Sequence, residues 1–120
     1  MVKRTHVDIS EEGEAAIVAF QKSSLSNVDE IATASKEIRD FIKENQPKKV
    51  VFDFEQVRFF SSQVLGILLD VRARLKEYEG EVVVSGVNPQ LYRVFKITNL
   101  DKIFRFFGDK ESAVGGVSAE

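Results

Sequence analysis

Hydrophobic residues recur along the chain with two different periods, and segments of the two kinds follow each other. Residues 7–9 alternate apolar with polar positions, and residues 14–20 (EAAIVAF) form a second apolar stretch after the turn signal Glu12-Gly13. These two segments predict a β-hairpin. Over residues 28–45 the apolar positions return at helical spacing, and Pro47 is expected to end this helix.

The rest of the chain continues to alternate between short apolar strands and helices. Strands are predicted at 49–54 (KVVFDF), 81–85 (EVVVS) and 103–107, and helices at 62–78, at 90–96 and after Asp109. The resulting order is β-β-α-β-α-β-α-β-α. This order predicts an α/β fold with crossover connections and a largely parallel sheet that carries a hairpin at one edge.

Length and composition limit the class of protein. A chain of 120 residues fits one domain, with a predicted core at about 5–114 and a flexible tail at 115–120. The absence of cysteine excludes disulfides and cysteine-based zinc sites. The amino terminus lacks the apolar region of a signal peptide, and no stretch approaches the ~20 apolar residues of a membrane span. We therefore predict a cytoplasmic protein without membrane contact.

Charge and motifs provide few signs of catalysis. The 17 basic and 19 acidic residues are interspersed, so nucleic-acid binding is not expected. His6 is the single histidine, and glycine motifs for nucleotides or for a nucleophile elbow are missing. We predict no enzyme, no cofactor and no metal site. Asp53, between Phe52 and Phe54, is interpreted as a carboxylate that faces the end of the sheet or caps a loop.

Two adjacent serines precede the second predicted helix, in the segment FFSSQVLGILLD at 59–70. Ser62 is a candidate N-cap whose hydroxyl would accept from a free helix N–H. A phosphate at the same place would meet several free N–H groups and the positive end of the helix dipole. The residues alone do not decide whether Ser62 is only a helix cap or also a phosphorylation switch. Gly66, inside this helix, predicts a close contact with the sheet or with a partner.

Residues 50–114 resemble the STAS domain, which occurs in anti-sigma-factor antagonists and at the end of sulphate transporters. The specific motifs are S-S-x-x-L-G at 61–66 and T-N-L-D-K-I-F at 98–104. The resemblance implies a single STAS-like domain of the α/β class. Its sheet would be mostly parallel with an N-terminal hairpin, and its helices would lie chiefly on one face.

Regulatory members of this family carry D-S-[ST]-G-L-G at the turn, and a partner kinase phosphorylates a serine there, which ends binding to the kinase. The resemblance implies phosphorylation at Ser62, with Ser61 second, and an anti-sigma factor or serine-protein kinase as partner. Ser61 replaces the family's Asp, and Gln63 and Val64 replace the second hydroxyl residue and the glycine.

The docking face is expected to lie on the turn and the helix that follows it. The predicted partner-binding residues are Phe60, Gln63, Val64, Leu65, Ile67 and Leu68. The missing Asp leaves an alternative open, namely a phosphorylation-independent STAS scaffold or a domain that binds a small anion or nucleotide at the helix N-terminus. Whether the chain forms a homodimer also stays open.

Overall fold

Seven strands and four α-helices make up the described part of the chain, residues 7–115 of a computed structural model. The strands are β1 (Val7–Glu12), β2 (Ala15–Phe20), β3 (Ser24–Leu25), β4 (Lys49–Asp53), β5 (Phe59–Phe60), β6 (Glu81–Ser85) and β7 (Arg105–Phe107). The helices are α1 (Val28–Asn45), α2 (Ser62–Lys76), α3 (Pro89–Ile97) and α4 (Lys110–Gly115), with a short 3-10 helix at Leu100–Lys102.

The main sheet has five strands in the order β1-β2-β4-β6-β7. β1 runs antiparallel to β2, and every other neighbouring pair in this sheet is parallel. β3 and β5 form a separate parallel pair. The predicted α/β fold class, with a mostly parallel sheet and an N-terminal hairpin, is therefore confirmed.

The two faces of the sheet are covered unequally. Because side chains alternate along a strand, Val50 and Phe52 of β4 join the large core that includes α1, α2 and α3. Val51 points to the opposite face, where a small cluster packs against Ala113 of α4. The prediction that the helices lie chiefly on one face is thus confirmed.

Capping side chains explain where three of the four described α-helices begin. Asn27 caps α1, because its side-chain Oδ1 accepts from the Glu30 N–H at 2.9 Å. Asp109 caps α4 in the same way, accepting from the Ser112 N–H at 2.7 Å. Each of these polar side chains satisfies one of the N–H groups that a helix start leaves without a partner.

Several predicted boundaries need correction by one or two residues, among them the end of β4, at Asp53, and the bounds of α3, Pro89–Ile97. α2 ends at Lys76 rather than at residue 78. β7 begins at Arg105 rather than at residue 103, because the N–H groups of Ile103 and Phe104 donate to the Leu100 carbonyl. Gly115, predicted to start the tail, belongs to α4. Residues 116–120 and His6 lie outside the described residues.

Lys49 is a buried lysine that ties α4 to the sheet. Its ammonium group donates to the carbonyl oxygens of Ala113 and Val114, near the C-terminal end of α4. A cation is favourable there because the last carbonyls of a helix carry partial negative charge. Burial lowers the pKa of Lys49; nearby Glu81 opposes this effect, and Arg105 adds to it.

We expect wild-type stability to rise with pH relative to a Lys49→Met variant. Between the lowered pKa of folded Lys49 and its ordinary value of 10.5, the unfolded chain binds more protons than the folded one, so alkali favours folding there. Tyr78, whose pKa burial raises, acts in the opposite direction but is present in both proteins and cancels. Urea unfolding of both proteins at about pH 7 and about pH 10 measures the difference. A difference that is flat or falls with pH would contradict the assignment.

Candidate partner-binding site at the start of helix α2

The short pair of β3 and β5 brings the beginnings of α1 and α2 side by side. The N–H groups of Arg58 and Phe59 donate to the Ser23 carbonyl at 2.8 and 3.1 Å. The Ser61 N–H donates to the Leu25 carbonyl at 2.9 Å. These bonds anchor the backbone immediately before α2, so the backbone of the two serines has a fixed position at the start of the helix.

The structure corrects the predicted N-cap. α2 begins at Ser62, and its N-cap residue is Ser61, which has an extended backbone (φ −85°, ψ 165°) and makes no side-chain capping bond. Ser62 already has helical geometry, so its hydroxyl does not cap the helix as predicted. The Ser61 hydroxyl oxygen is buried and has no hydrogen-bond partner within residues 7–115.

Ser62 is the better placed of the two predicted phosphorylation sites. Its side chain is exposed, whereas the Ser61 hydroxyl oxygen is buried. The first turn of α2 contains no acidic residue. An anion attached to Ser62 would therefore lie at the positive end of the helix with no carboxylate in that turn to repel it.

Five of the six predicted partner-binding residues belong to the core of the domain. The side chains that are at least nine-tenths buried are Phe60, Val64, Leu65, Ile67 and Leu68. The Phe60 ring packs against the rings of Phe54 and Phe95, at centroid distances of 5.5 and 6.0 Å. These side chains stabilise the fold and offer little area to a partner in the free domain, so their burial disfavours the predicted partner-binding role. Gln63 is the exposed member of the predicted set.

A different set of side chains faces solvent at the same place. Phe59 is 56% exposed, and Leu69 on α2 is 39% exposed. Ser62, Gln63 and Gly66 are also exposed. Because Phe59 and Phe60 are neighbours in a strand, their rings point to opposite sides. We define Phe59, Ser62, Gln63, Gly66 and Leu69 as the α2 docking surface.

Gly66 does not touch the sheet. A Cβ atom added to it would have no heavy atom within 4 Å outside its own helix turn and chain neighbours. The predicted close contact with the sheet is therefore wrong, and the alternative of a close contact with a partner stays a prediction. Glycine in a helix costs about 1 kcal/mol relative to alanine, and no close packing contact within residues 7–115 accounts for a glycine at this position.

We expect Gly66→Ala to raise the free energy of unfolding by about 0.5–1 kcal/mol, because alanine restricts the unfolded chain and fits the open surface. The matched control is Ala73→Gly, at another exposed position of α2, which should lower stability by a similar amount. Urea unfolding of the two variants checks both values. A destabilised Gly66→Ala protein would show that the position is not open in the free domain.

Asp53 has the loop-capping role that the sequence indicates. Its Oδ1 accepts from the Glu55 N–H at 3.2 Å and from the Ser85 hydroxyl at 3.3 Å. Gly86 has φ 70°, and a Cβ atom there would lie 2.9 Å from the same oxygen. The carboxylate therefore fixes the two loops that follow β4 and β6.

Two kinds of site are absent from the described residues, 7–115. No group of three or more His, Cys, Asp or Glu side chains in this range could hold a metal ion. Helices in the same range are all too short or too polar to cross a bilayer.

Comparison with known proteins identifies a family match and a relative of this chain. The model of the STAS domain family matches residues 7–113. A candidate anti-sigma factor antagonist of Bordetella bronchiseptica, BtrV, is 30% identical over 66 residues, which are 55% of this chain and 57% of BtrV. The chain thus aligns with little more than half the length of this relative.

Solved structures support the fold. An anti-sigma-factor antagonist (STAS) domain protein from Planctomyces limnophilus superposes with a TM-score of 0.85 at 22% identity, over 97% of this chain and 100% of that one. The Bacillus cell fate determinant SpoIIAA in its phosphorylated form gives a TM-score of 0.71 at 18% identity, over 92% and 98% of the two chains. Because the family model covers nearly all described residues, the chain belongs to the STAS domain family.

Proposed function

We propose that this STAS domain acts like an anti-sigma-factor antagonist, binding an anti-sigma factor or serine-protein kinase until Ser62 is phosphorylated. The observation that carries the proposal is the position of Ser62, exposed on the first turn of a helix whose next apolar residues are buried. The similarity to BtrV and to SpoIIAA, of which a phosphorylated form has been solved, supports it.

The switch rests on local electrostatics. A phosphoryl group on Ser62 would add about −1.5 to −2 charges between Phe59 and Gly66, on the surface where a partner would pack. The helix N–H groups and dipole would stabilise this charge in the free domain. A bound partner would have to desolvate the phosphate, or be repelled by it if acidic. Phosphorylation would therefore release the partner without unfolding the domain.

The α2 docking surface provides contact types that suit a protein partner. Phe59 is an exposed aromatic ring, and Phe is among the residue types enriched in the cores of protein interfaces. Gly66 lets a partner backbone approach closely, which would explain a glycine at an open helical position. The α2 docking surface thus replaces the buried residues of the predicted docking face with exposed ones and keeps only Gln63 from the prediction.

Kinase treatment tests the proposal. The purified domain is incubated with its cognate serine kinase and ATP, and the added phosphate is located by peptide mass spectrometry. We expect one phosphate on Ser62, none on a Ser62→Ala variant, and an unchanged yield on Ser61→Ala, since the Ser61 oxygen is buried. Phosphate on Ser61 alone, or on neither serine, would reject the switch.

The replacement of the family's Asp by Ser61 favours a second candidate function, a phosphorylation-independent scaffold or anion-binding domain. In that case the free N–H groups at the start of α2 would bind a phosphate or nucleotide directly. Isothermal calorimetry with inorganic phosphate, ATP and GTP separates the two. Saturable heat that a Ser62→Asp variant abolishes supports the second function, and no heat with any of the three rejects its anion-binding form.

A further inference from the structure

The solvent side of α3 combines exposed apolar side chains with cations and lacks carboxylates. Ile97 is 73% exposed and Tyr92 is 38% exposed, and Arg93 and Lys96 are exposed as well. Since residues four apart lie on one helix face, Tyr92 with Lys96 and Arg93 with Ile97 form two adjacent rows. Together with Pro89 they line one shallow surface depression. We define Tyr92, Arg93, Lys96 and Ile97 as the α3 surface.

The charge of the α3 surface is not balanced within the described residues. No Asp or Glu occurs between residues 82 and 100. On α1, Lys36 pairs with Asp40 at 2.9 Å, and on α2, Arg74 pairs with Asp70 at 3.1 Å. By contrast, Arg93 and Lys96 have no carboxylate within salt-bridge distance in residues 7–115. Like charges one turn apart repel each other, so an acidic partner would relieve an unfavourable arrangement.

The aromatic member of the α3 surface is held rigidly by the core. The Tyr92 ring packs edge-on against Phe106 at 5.1 Å, and Phe106 packs edge-on against the buried Phe95 at 5.0 Å. A ring that is already fixed loses little side-chain entropy when a partner covers it. Tyr and Arg are also the residue types that most often dominate binding energy.

We propose that the α3 surface is a second docking site, for a protein segment that presents carboxylates around an apolar side chain. The carboxylates would pair with Arg93 and Lys96, and the apolar side chain would cover Tyr92 and Ile97. This inference goes beyond the proposed function, because it does not depend on Ser62 or on its phosphorylation.

Two other occupants fit less well. Two copies meeting through the same α3 surface would place four cations together across one interface. An anionic membrane attracts each nearby cation only weakly, so two cations with two apolar side chains provide too little for stable attachment.

A display selection tests the proposal with an unbiased probe. A library of random peptides, about 12 residues long, is selected on the wild-type domain and depleted on an Arg93→Glu/Lys96→Glu double variant. We expect the enriched peptides to carry several Asp or Glu around an aromatic or aliphatic residue. Their affinity should fall at least about tenfold on the double variant and on Ile97→Ser, and stay unchanged on Ser62→Asp.

Several outcomes would overturn the α3 site. One is enrichment without acidic residues, and another is peptide binding to the double variant within about twofold of wild type. Binding of the wild type, but not the double variant, to phosphatidylcholine vesicles with about 30% phosphatidylserine would assign the surface to a membrane instead. Self-association by analytical ultracentrifugation that the double variant loses would assign it to a second copy. Equal thermal unfolding midpoints of the wild type, the Arg93→Glu/Lys96→Glu variant and the Ile97→Ser variant provide the folding control.

Discussion

Phe60→Ala is expected to lower the free energy of unfolding by about 3–5 kcal/mol, the usual loss for a large aromatic side chain removed from a packed core. Phe60 is 6% exposed and contacts the rings of Phe54 and Phe95. Phe59→Ala, at the adjacent and exposed position, should change stability by no more than about 0.5 kcal/mol. Urea unfolding of the two variants provides a matched comparison, since both remove the same side chain.

For partner affinity we expect the opposite ranking of the two variants, with the larger loss for Phe59→Ala. Phe59→Ala is expected to weaken a partner that uses the α2 docking surface by about tenfold or more, because an exposed aromatic anchor is lost. Phe60→Ala protein, measured where it is still folded, should keep most of its affinity. A stable Phe60→Ala protein, or a Phe59→Ala protein with unchanged affinity, would show that the two rings have been assigned to the wrong sides.

Ser62→Asp is expected to weaken partner binding at least about tenfold, which corresponds to about 1.4 kcal/mol. The new carboxylate would introduce a charge that the bound partner must desolvate, although it carries less charge than a phosphate. In the free domain the carboxylate should be neutral for stability, or stabilise α2 by about 0.3–1 kcal/mol, because it lies at the helix N-terminus.

Ser62→Asn is the control for Ser62→Asp, since asparagine has nearly the same shape as aspartate but carries no charge. It should retain affinity within about threefold of wild type. Affinities are measured by calorimetry against the purified anti-sigma factor or kinase. If the Asn and Asp variants lose equal affinity, bulk and not charge governs the site, and the electrostatic account is wrong.

Long helices and strands with a clear hydrophobic period were predictable from the sequence. The partner-binding site at the start of α2 was predictable only in part. α1 shows its apolar residues at helical spacing, and its structure begins and ends where the pattern predicts. β3 and β5 were missed because a two-residue strand is too short to show alternation. The signals that could have found them were Leu25 and the adjacent pair Phe59-Phe60.

The orientation of α2 could not be read from its sequence. Residues 64–69 are apolar on nearly every side apart from Gly66, so hydrophobicity does not distinguish the core face from the solvent face. Packing against the sheet makes this choice, burying Leu68 and leaving Leu69 at the surface. The cap was misplaced by one residue for a similar reason, since Ser61 and Ser62 carry the same side chain.

The central claim is that a negative charge on Ser62 releases the partner from an otherwise unchanged domain. Its most direct test uses the domain phosphorylated on Ser62, with phosphorylation verified by mass spectrometry and removed again by phosphatase. Calorimetry against the purified partner should show binding before phosphorylation, a loss of at least about tenfold after it, and recovery after phosphatase. The thermal midpoint should stay constant throughout. Equal affinity of the phosphorylated and unphosphorylated domains, or loss of binding accompanied by unfolding, would contradict the account.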